Sequence, residues 1–297
     1  MQTVIANRAD FFSKDGCPVA LRTIQGDQPL QHEGDLSDIR HTHDFSELII
    51  ITAGGGEHWI NGVTYPVTAG DIFLIQGNTE HYFEKRHNLG MYNIMFDDGY
   101  LRDHLHSLHS LSGFNAFFLF EPACRRSHKF RSRLHIPPET MRPLATELRR
   151  MTDEMRRGSP GSDLILLAKA LEIFVFISRE YSRNGNPMAR SLCRLGELIS
   201  LLEQRYGEPW TIGRISRIAA MAPSTLLPVF KKATGTSPID YLLHVRLSKA
   251  AELLLRTEDP VSEIAKACGF ADSNYFLRQF RRVYGLSPRE YRNVKED

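Results

Sequence analysis

A chain of 297 residues is long enough for two domains, and its 42% hydrophobic and 24% charged residues are the balance of a soluble globular protein. The longest apolar segment, Leu164 to Ser178, is short for a bilayer and broken by Lys169 and Glu172, which excludes a membrane span. The net charge of +2 hides a split: from Met188 onward 17 Lys/Arg face 12 Asp/Glu, while the rest has 20 against 23, a distribution compatible with phosphate contact by the C-terminal part.

The first residues show no basic stretch followed by an apolar run, so no secretory signal is expected. The four cysteines, Cys17, Cys124, Cys193 and Cys268, lack metal-ligand spacing and are expected as free thiols in a reducing cytoplasm.

Residues 17–98 read as short strands. Leu48-Ile49-Ile50-Ile51 is an apolar run ending at Gly54-Gly55-Gly56. His58-Trp59-Ile60 and Tyr65-Pro66-Val67 flank Asn61-Gly62, a strong hairpin signal. Ile72-Phe73-Leu74-Ile75 and Asn93-Ile94-Met95-Phe96 complete a pattern that predicts an all-β barrel or sandwich. From Pro137 to Tyr181 the period becomes helical, with Leu144, Leu148, Met151 and Met155 on one stripe. The segment Asp163 to Tyr181 is apolar on most sides, so it packs within its own domain or forms a dimer seam. Ser182-Arg183-Asn184-Gly185-Asn186-Pro187 is turn-rich and reads as the interdomain linker.

The rest reads as helix and repeats itself. Phe230-Lys231-Lys232-Ala233-Thr234-Gly235-Thr236-Ser237-Pro238 and Tyr241 recur 50 residues on as Phe280-Arg281-Arg282-Val283-Tyr284-Gly285-Leu286-Ser287-Pro288 and Tyr291. Each copy follows a small-residue turn between two short helical patterns, the outline of tandem helix-turn-helix units. In the second copy Gly269 serves the turn, Phe270 plugs the corner and Asp272 is suited to N-cap the next helix. Phe276, Phe280 and Val283 define a buried face, and Asn274, Arg278 and Arg281 point the other way. Arg can bond the acceptor edge of guanine twice, and Asn can do the same for adenine.

In the first copy Leu226, Phe230 and Ala233 form the buried face, and Pro228 stands where the second copy has Arg278. That unit is expected to hold phosphate through Lys231 and Lys232 and to read bases weakly through Ser224, Thr225 or Leu227. Between the copies, Ser237 to Arg256 reads as one stiff helix of about 30 Å, able to set two recognition helices about 34 Å, one DNA turn, apart.

These residues resemble the AraC/XylS family of bacterial transcription regulators over about Leu195 to Tyr291. The second-unit pattern is specific: Ile264-Ala265, Cys268-Gly269-Phe270, Tyr275-Phe276, Phe280-Arg281-Arg282, Gly285, Ser287-Pro288 and Tyr291-Arg292. The resemblance implies two helix-turn-helix subdomains joined by a long helix, acting on promoters as a dimer with RNA polymerase as partner, often as an activator. The positions matching its base-contacting residues are Ser273, Asn274 and Arg278, with Arg281 and Arg282 following. In the first unit they are Ser224, Leu227 and Pro228, where this chain departs from the family.

The N-terminal part resembles a cupin, the small β-barrel many such regulators use as sensor. His41-Thr42-His43, Glu47 and Gly54 match its first motif. In the second, Gln76 and Asn78 replace the usual proline and glycine, and His81 matches the last histidine. Even separations put His41, His43 and Glu47 on one face of a strand. With His81 they could ligate Zn, Fe, Mn or Ni, hold a small effector directly, or serve structure alone. The stretch His41 to Phe96 looks most like the rhamnose-responsive members, which implies a sugar or small polyol as effector. Trp59, Tyr82 and Tyr92 could stack on a sugar or simply pack. His104, His106 and His109 lack metal spacing and read as surface histidines.

The expected architecture is therefore α+β and multidomain. A cupin-like barrel with a helical dimerisation segment occupies 1–181, a linker 182–190, and an all-α tandem helix-turn-helix domain 191–297. The expected function is a cytoplasmic, sequence-specific regulator of double-stranded DNA that responds to a small molecule, with no cofactor required. The alternative is a metal-dependent cupin enzyme fused to a DNA-binding domain.

Overall fold

The computed structural model describes residues 3–12, 17–25, 38–100, 106–127 and 129–293. His104 lies outside them. The N-terminal half is built on one eight-stranded sheet: β1 (Val4–Ala6), β2 (Val19–Gln25), β3 (His41–His43), β4 (Ser46–Ile60), β5 (Val63–Thr68), β6 (Asp71–Ile75), β7 (His81–Phe96) and β8 (Leu134–His135). Its order is β1-β3-β7-β4-β6-β8, with β2 also on β7 and β5 also on β4. The expected hairpin is present: Asn61 and Gly62 take φ of 45° and 86°, and Ile60 faces Val63.

Alternation gives the sheet two buried faces. Ile49, Ile51, Phe73, Ile75 and Met91 pack together on one, which also presents Glu47; Leu48, Ile50, Ile72, Leu74 and Tyr92 line the other, the helix face. The apolar run at Leu48 does not stop at the glycines. β4 continues through them to Ile60, shifting register against β7 three times, at Ile51/Ala53, Ala53/Gly55 and Glu57/His58. Gly54 (φ 63°) is required there, because a Cβ would stand 2.2 Å from the carbonyl oxygens of His87 and Asn88.

A helical stretch at 112–124 (α1) then crosses the molecule, its middle, Asn115–Phe120, wound as π-helix. It is followed by α2 (Pro138–Arg157), α3 (Ser162–Arg183) and α4 (Pro187–Gln204). Leu144, Leu148 and Met151 of α2 are buried as the stripe predicts, with Met155 packed partly against the same core. In α3, Leu166, Ala170, Ile173, Phe174, Ile177 and Tyr181 are buried within the chain, whereas Leu164 and Ile165 are 73% and 42% exposed. The expected linker shrinks to residues 184–186. Asn186 caps α4 by accepting from Met188 N, and Pro187 supplies its first turn, so helix resumes at once.

Beyond it lie α5 (Ile212–Ala219), α6 (Pro223–Thr234), α7 (Pro238–Arg256), α8 (Val261–Ala267), α9 (Ser273–Tyr284) and α10 (Pro288–Asn293). The 19 residues of α7 span about 28 Å. One apolar core runs unbroken from the helix face of the sheet through Phe117, Phe174 and Leu195 to Leu226, Phe230 and Leu242. A separate core holds Leu247, Leu254, Ile264, Phe276 and Phe280. The boundary between packed units thus falls inside α7. All four cysteines are free, three of them buried. No described helix is long and apolar enough to cross a membrane.

Candidate nucleic-acid interface and sensor site

In the second unit Gly269 takes φ of 81°, and Phe270 is buried against Phe276 with ring centroids 4.9 Å apart. Asp272 caps α9 as expected, accepting from Asn274 N at 2.7 Å and Tyr275 N at 3.1 Å. Phe276 and Phe280 are fully buried, which turns Ser273, Asn274, Arg278, Arg281 and Arg282 to solvent. Val283 departs from the expected face: it is 39% exposed, because Tyr284 takes its place against Phe280, centroids 4.6 Å apart.

The first unit has the same frame with different chemistry. Thr211 caps α5, and Ala220 occupies the left-handed region at φ 51°. Leu226 and Phe230 are buried, Ala233 is half-buried, and α6 continues through Pro228. Ser224, Thr225, Pro228 and Lys231 are exposed and Leu227 is half-buried. Lys232 has another partner: its ammonium donates to the carbonyl of Ala123 at the end of α1. Beside it the rings of Phe120 and Phe230 meet edge-on, centroids 6.0 Å apart.

On the sheet, the structure brings His41, His43, Glu47 and His81 together, all buried, with ligand atoms within 4.8 Å of one another. His41 pairs directly across from His81. A carbonyl only accepts, so His41 Nδ1 donates to Ile39 at 2.7 Å and His43 Nδ1 donates to Phe45 at 2.6 Å. Each ring therefore turns an unprotonated Nε2 inward. His43 Nε2 lies 3.1 Å from His81 Nε2, and His81 Nδ1 lies 3.1 Å from His58 Nε2. Protons on His81 Nε2 and His58 Nε2 complete a relay ending at the Phe45 carbonyl, which leaves His58 Nδ1 unpartnered. Glu47 Oε2 stands 3.9 Å and 3.8 Å from the facing nitrogens of His43 and His81. Burial pushes His43 down to about 4, against the pull of the Phe45 carbonyl, and holds His58 and His81 well below the usual range. These imidazoles are neutral at pH 7. Three bare nitrogens and a carboxylate at this spacing fit a four-ligand divalent transition-metal site, whose metal–ligand distances are about 2.0–2.2 Å.

Two of the aromatic candidates lie elsewhere. Tyr92 faces Ile50 across the ladder and belongs to the helix face, away from the histidines. Counting by twos from Glu47 puts Trp59 beside the cluster, but the register shifts in β4 reverse the parity. Trp59 instead stacks with Arg40, guanidinium 4.2 Å from the ring, and leans on Tyr82. The same reversal turns His58 inward, a residue that spacing alone does not find. His109 is half-buried rather than superficial, because its Nδ1 bonds Asn115 Oδ1 at 2.8 Å.

The chain matches the AraC-like ligand binding domain over residues 31–174 and a helix-turn-helix domain over residues 215–293. It is 30% identical to the HTH-type transcriptional activator RhaS of Escherichia fergusonii, over 97% of this chain and 96% of that one. The chain belongs to the AraC family of transcriptional regulators. The HTH-type transcriptional activator RhaR of Mannheimia succiniciproducens is 28% identical, over 85% and 86% of the two chains. The solved DNA-binding domain of AdpA, in complex with a target DNA, is 29% identical with a TM-score of 0.33, covering 34% of this chain and 91% of that one. This AraC-family protein is a DNA-binding regulator and not an enzyme. The reading of a cupin enzyme with a DNA-binding appendage is set aside, because its full-length relatives are named as activators.

Proposed function

We propose that this protein is a cytoplasmic, sugar-responsive activator that binds its operators as a homodimer and works through RNA polymerase. The observation that carries the DNA reading is the exposed stripe of α9, anchored by the Asp272 cap and the buried Phe276 and Phe280. Ser273, Asn274 and Arg278 read bases there, while Arg281 and Arg282 hold phosphate. Lys231 holds phosphate for the first unit, where Ser224, Thr225 and Leu227 read weakly. The full-length likeness to RhaS and RhaR supports activation and a sugar effector. On α3, Leu164, Leu167, Leu171 and Val175 share one face at helical spacing and are only partly covered by the chain itself, which fits a seam with a second copy.

A second reading concerns the histidines. The four converging donors favour a bound divalent metal, Zn, Fe, Mn or Ni, held by His41, His43, Glu47 and His81. Such an ion would tie β3, β4 and β7 together at the sheet's edge. The regulator reading is tested by selecting duplexes from a random pool and transcribing them with purified RNA polymerase, with and without neutral sugars. Two half-sites about one helical turn apart, and transcription raised by a sugar, are expected. Retention of duplexes without sequence preference would refute it.

A further inference from the structure

A cleft of about 590 Å³ lies between the edge of the sheet, α1 and the end of the first recognition helix. That volume falls within the range of about 300–1,000 Å³ typical of small-molecule sites. One wall is the π-wound part of α1, where Phe114 and Phe118 stack with centroids 4.5 Å apart. π-Helical turns are rare and concentrate at functional positions. The opposite wall is Ala233–Thr234–Gly235 at the end of α6, with Tyr241 behind it. The rim carries the carboxylates of Asp44 and Asp98, and no Lys or Arg lines the cleft. Asp44 accepts from the Arg8 amide at 2.8 Å and Asp98 from the Ser46 hydroxyl at 2.5 Å, so both are held in place.

We infer that this cleft is a second small-molecule site, separate from the histidine cluster, and that it takes a neutral monosaccharide. Stacked rings suit the C–H face of a sugar, and acceptor carboxylates suit its hydroxyls. Two acidic groups with no basic partner in the lining repel an acidic or phosphorylated sugar. The position also supplies the coupling. The ligand touches the last residues of α6 directly beside Lys232, whose ammonium is bonded to Ala123 of α1. A sugar seated there favours one placement of the first DNA-binding unit against the sensor half, which is all that an effector must do.

The inference rests on the sugar-responsive reading, and the test separates the two. The full-length protein is titrated calorimetrically with neutral aldohexoses and 6-deoxyhexoses, and with glucuronate and glucose 6-phosphate as charged counterparts. A neutral sugar is expected to bind and the charged ones not. Leu119→Trp, which grows into the cleft from α1, is expected to abolish binding. Asp44→Asn, which keeps an acceptor for the Arg8 amide, is expected to weaken it about tenfold. His43→Ala is expected to leave sugar affinity unchanged. Binding lost in His43→Ala but intact in both Leu119→Trp and Asp44→Asn would move the sugar to the histidine cluster, ending this inference and sparing the regulator reading. Binding of no neutral sugar would end both. Asp44→Asn guards against misfolding of Leu119→Trp, since it changes no volume.

Discussion

Arg278→Ala separates base reading from simple adhesion. Arg278 projects from α9 between the buried Phe276 and Phe280, is exposed, and has no hydrogen bond or ion pair within the chain among the described residues. Removing it costs the fold almost nothing, within about 0.5 kcal/mol, the usual range for exposed positions. On the operator, a guanidinium paired twice to guanine is worth about 1–3 kcal/mol, or about 5- to 140-fold in affinity. The loss should therefore appear in DNA binding and not in thermal unfolding. Fluorescence anisotropy with the operator, its single-base variants and a random duplex should show preference relaxed at one base pair. Lys231→Ala is the internal contrast. As a phosphate contact it should lower the slope of log K against log salt by about one and leave base preference intact. If Arg278→Ala weakens operator and random duplex equally, Arg278 is a phosphate contact and α9 does not read sequence as argued.

Three further outcomes test the scaffold. Glu121 is fully buried and accepts twice from Arg125, at 3.2 and 2.5 Å, so Glu121→Ala strands a buried guanidinium and should cost about 3–5 kcal/mol in urea unfolding; adding Arg125→Met should recover most of that loss. Ala220→Gly should stabilise the protein by about 0.5–1 kcal/mol, because the left-handed backbone costs alanine roughly 1–2 kcal/mol and glycine's unfolded-state freedom returns part of the gain; an unchanged or lower unfolding midpoint would contradict this. Finally, His43 titrates near 4 when folded and near 6.5 unfolded. The unfolded chain takes up the proton first as pH falls, so stability is full above about 6.5 and declines toward 4, and a thermal midpoint flat across that window would show the histidines to be solvated.

Local chemistry was legible wherever it is decided by neighbours in sequence. Asn61-Gly62 demanded a left-handed pair and formed one; Asp272 sat one residue before a helix with bare amides and capped it. The helix-turn-helix frame was legible twice over because the same residues recur at a fixed offset. What escaped is set by distant partners. Trp59 and His58 exchanged places because three register shifts, invisible to a count of residues, reverse the face of β4. Lys232 looked identical to Lys231 until a carbonyl from more than a hundred residues away claimed it. The polar run at 182–187 suggested a tether, yet Asn186 and Pro187 are also a helix start, and burial of Ala189, Leu192 and Leu195 decided between them. Convergence of the four donors was legible as shared parity within β3 and β4, but their depth of burial was not.

The unbroken core bears on how such a protein can be recombined. A graft that swaps DNA-binding halves between regulators by cutting at residues 184–186 would strip α4 and the first unit from their packing and leave Phe120 and Phe117 facing water. Cutting within α7, between Leu242 and Leu247, passes between two finished interiors. The exchangeable cassette of this protein is its last fifty residues, and the first DNA-gripping unit travels with the sensor.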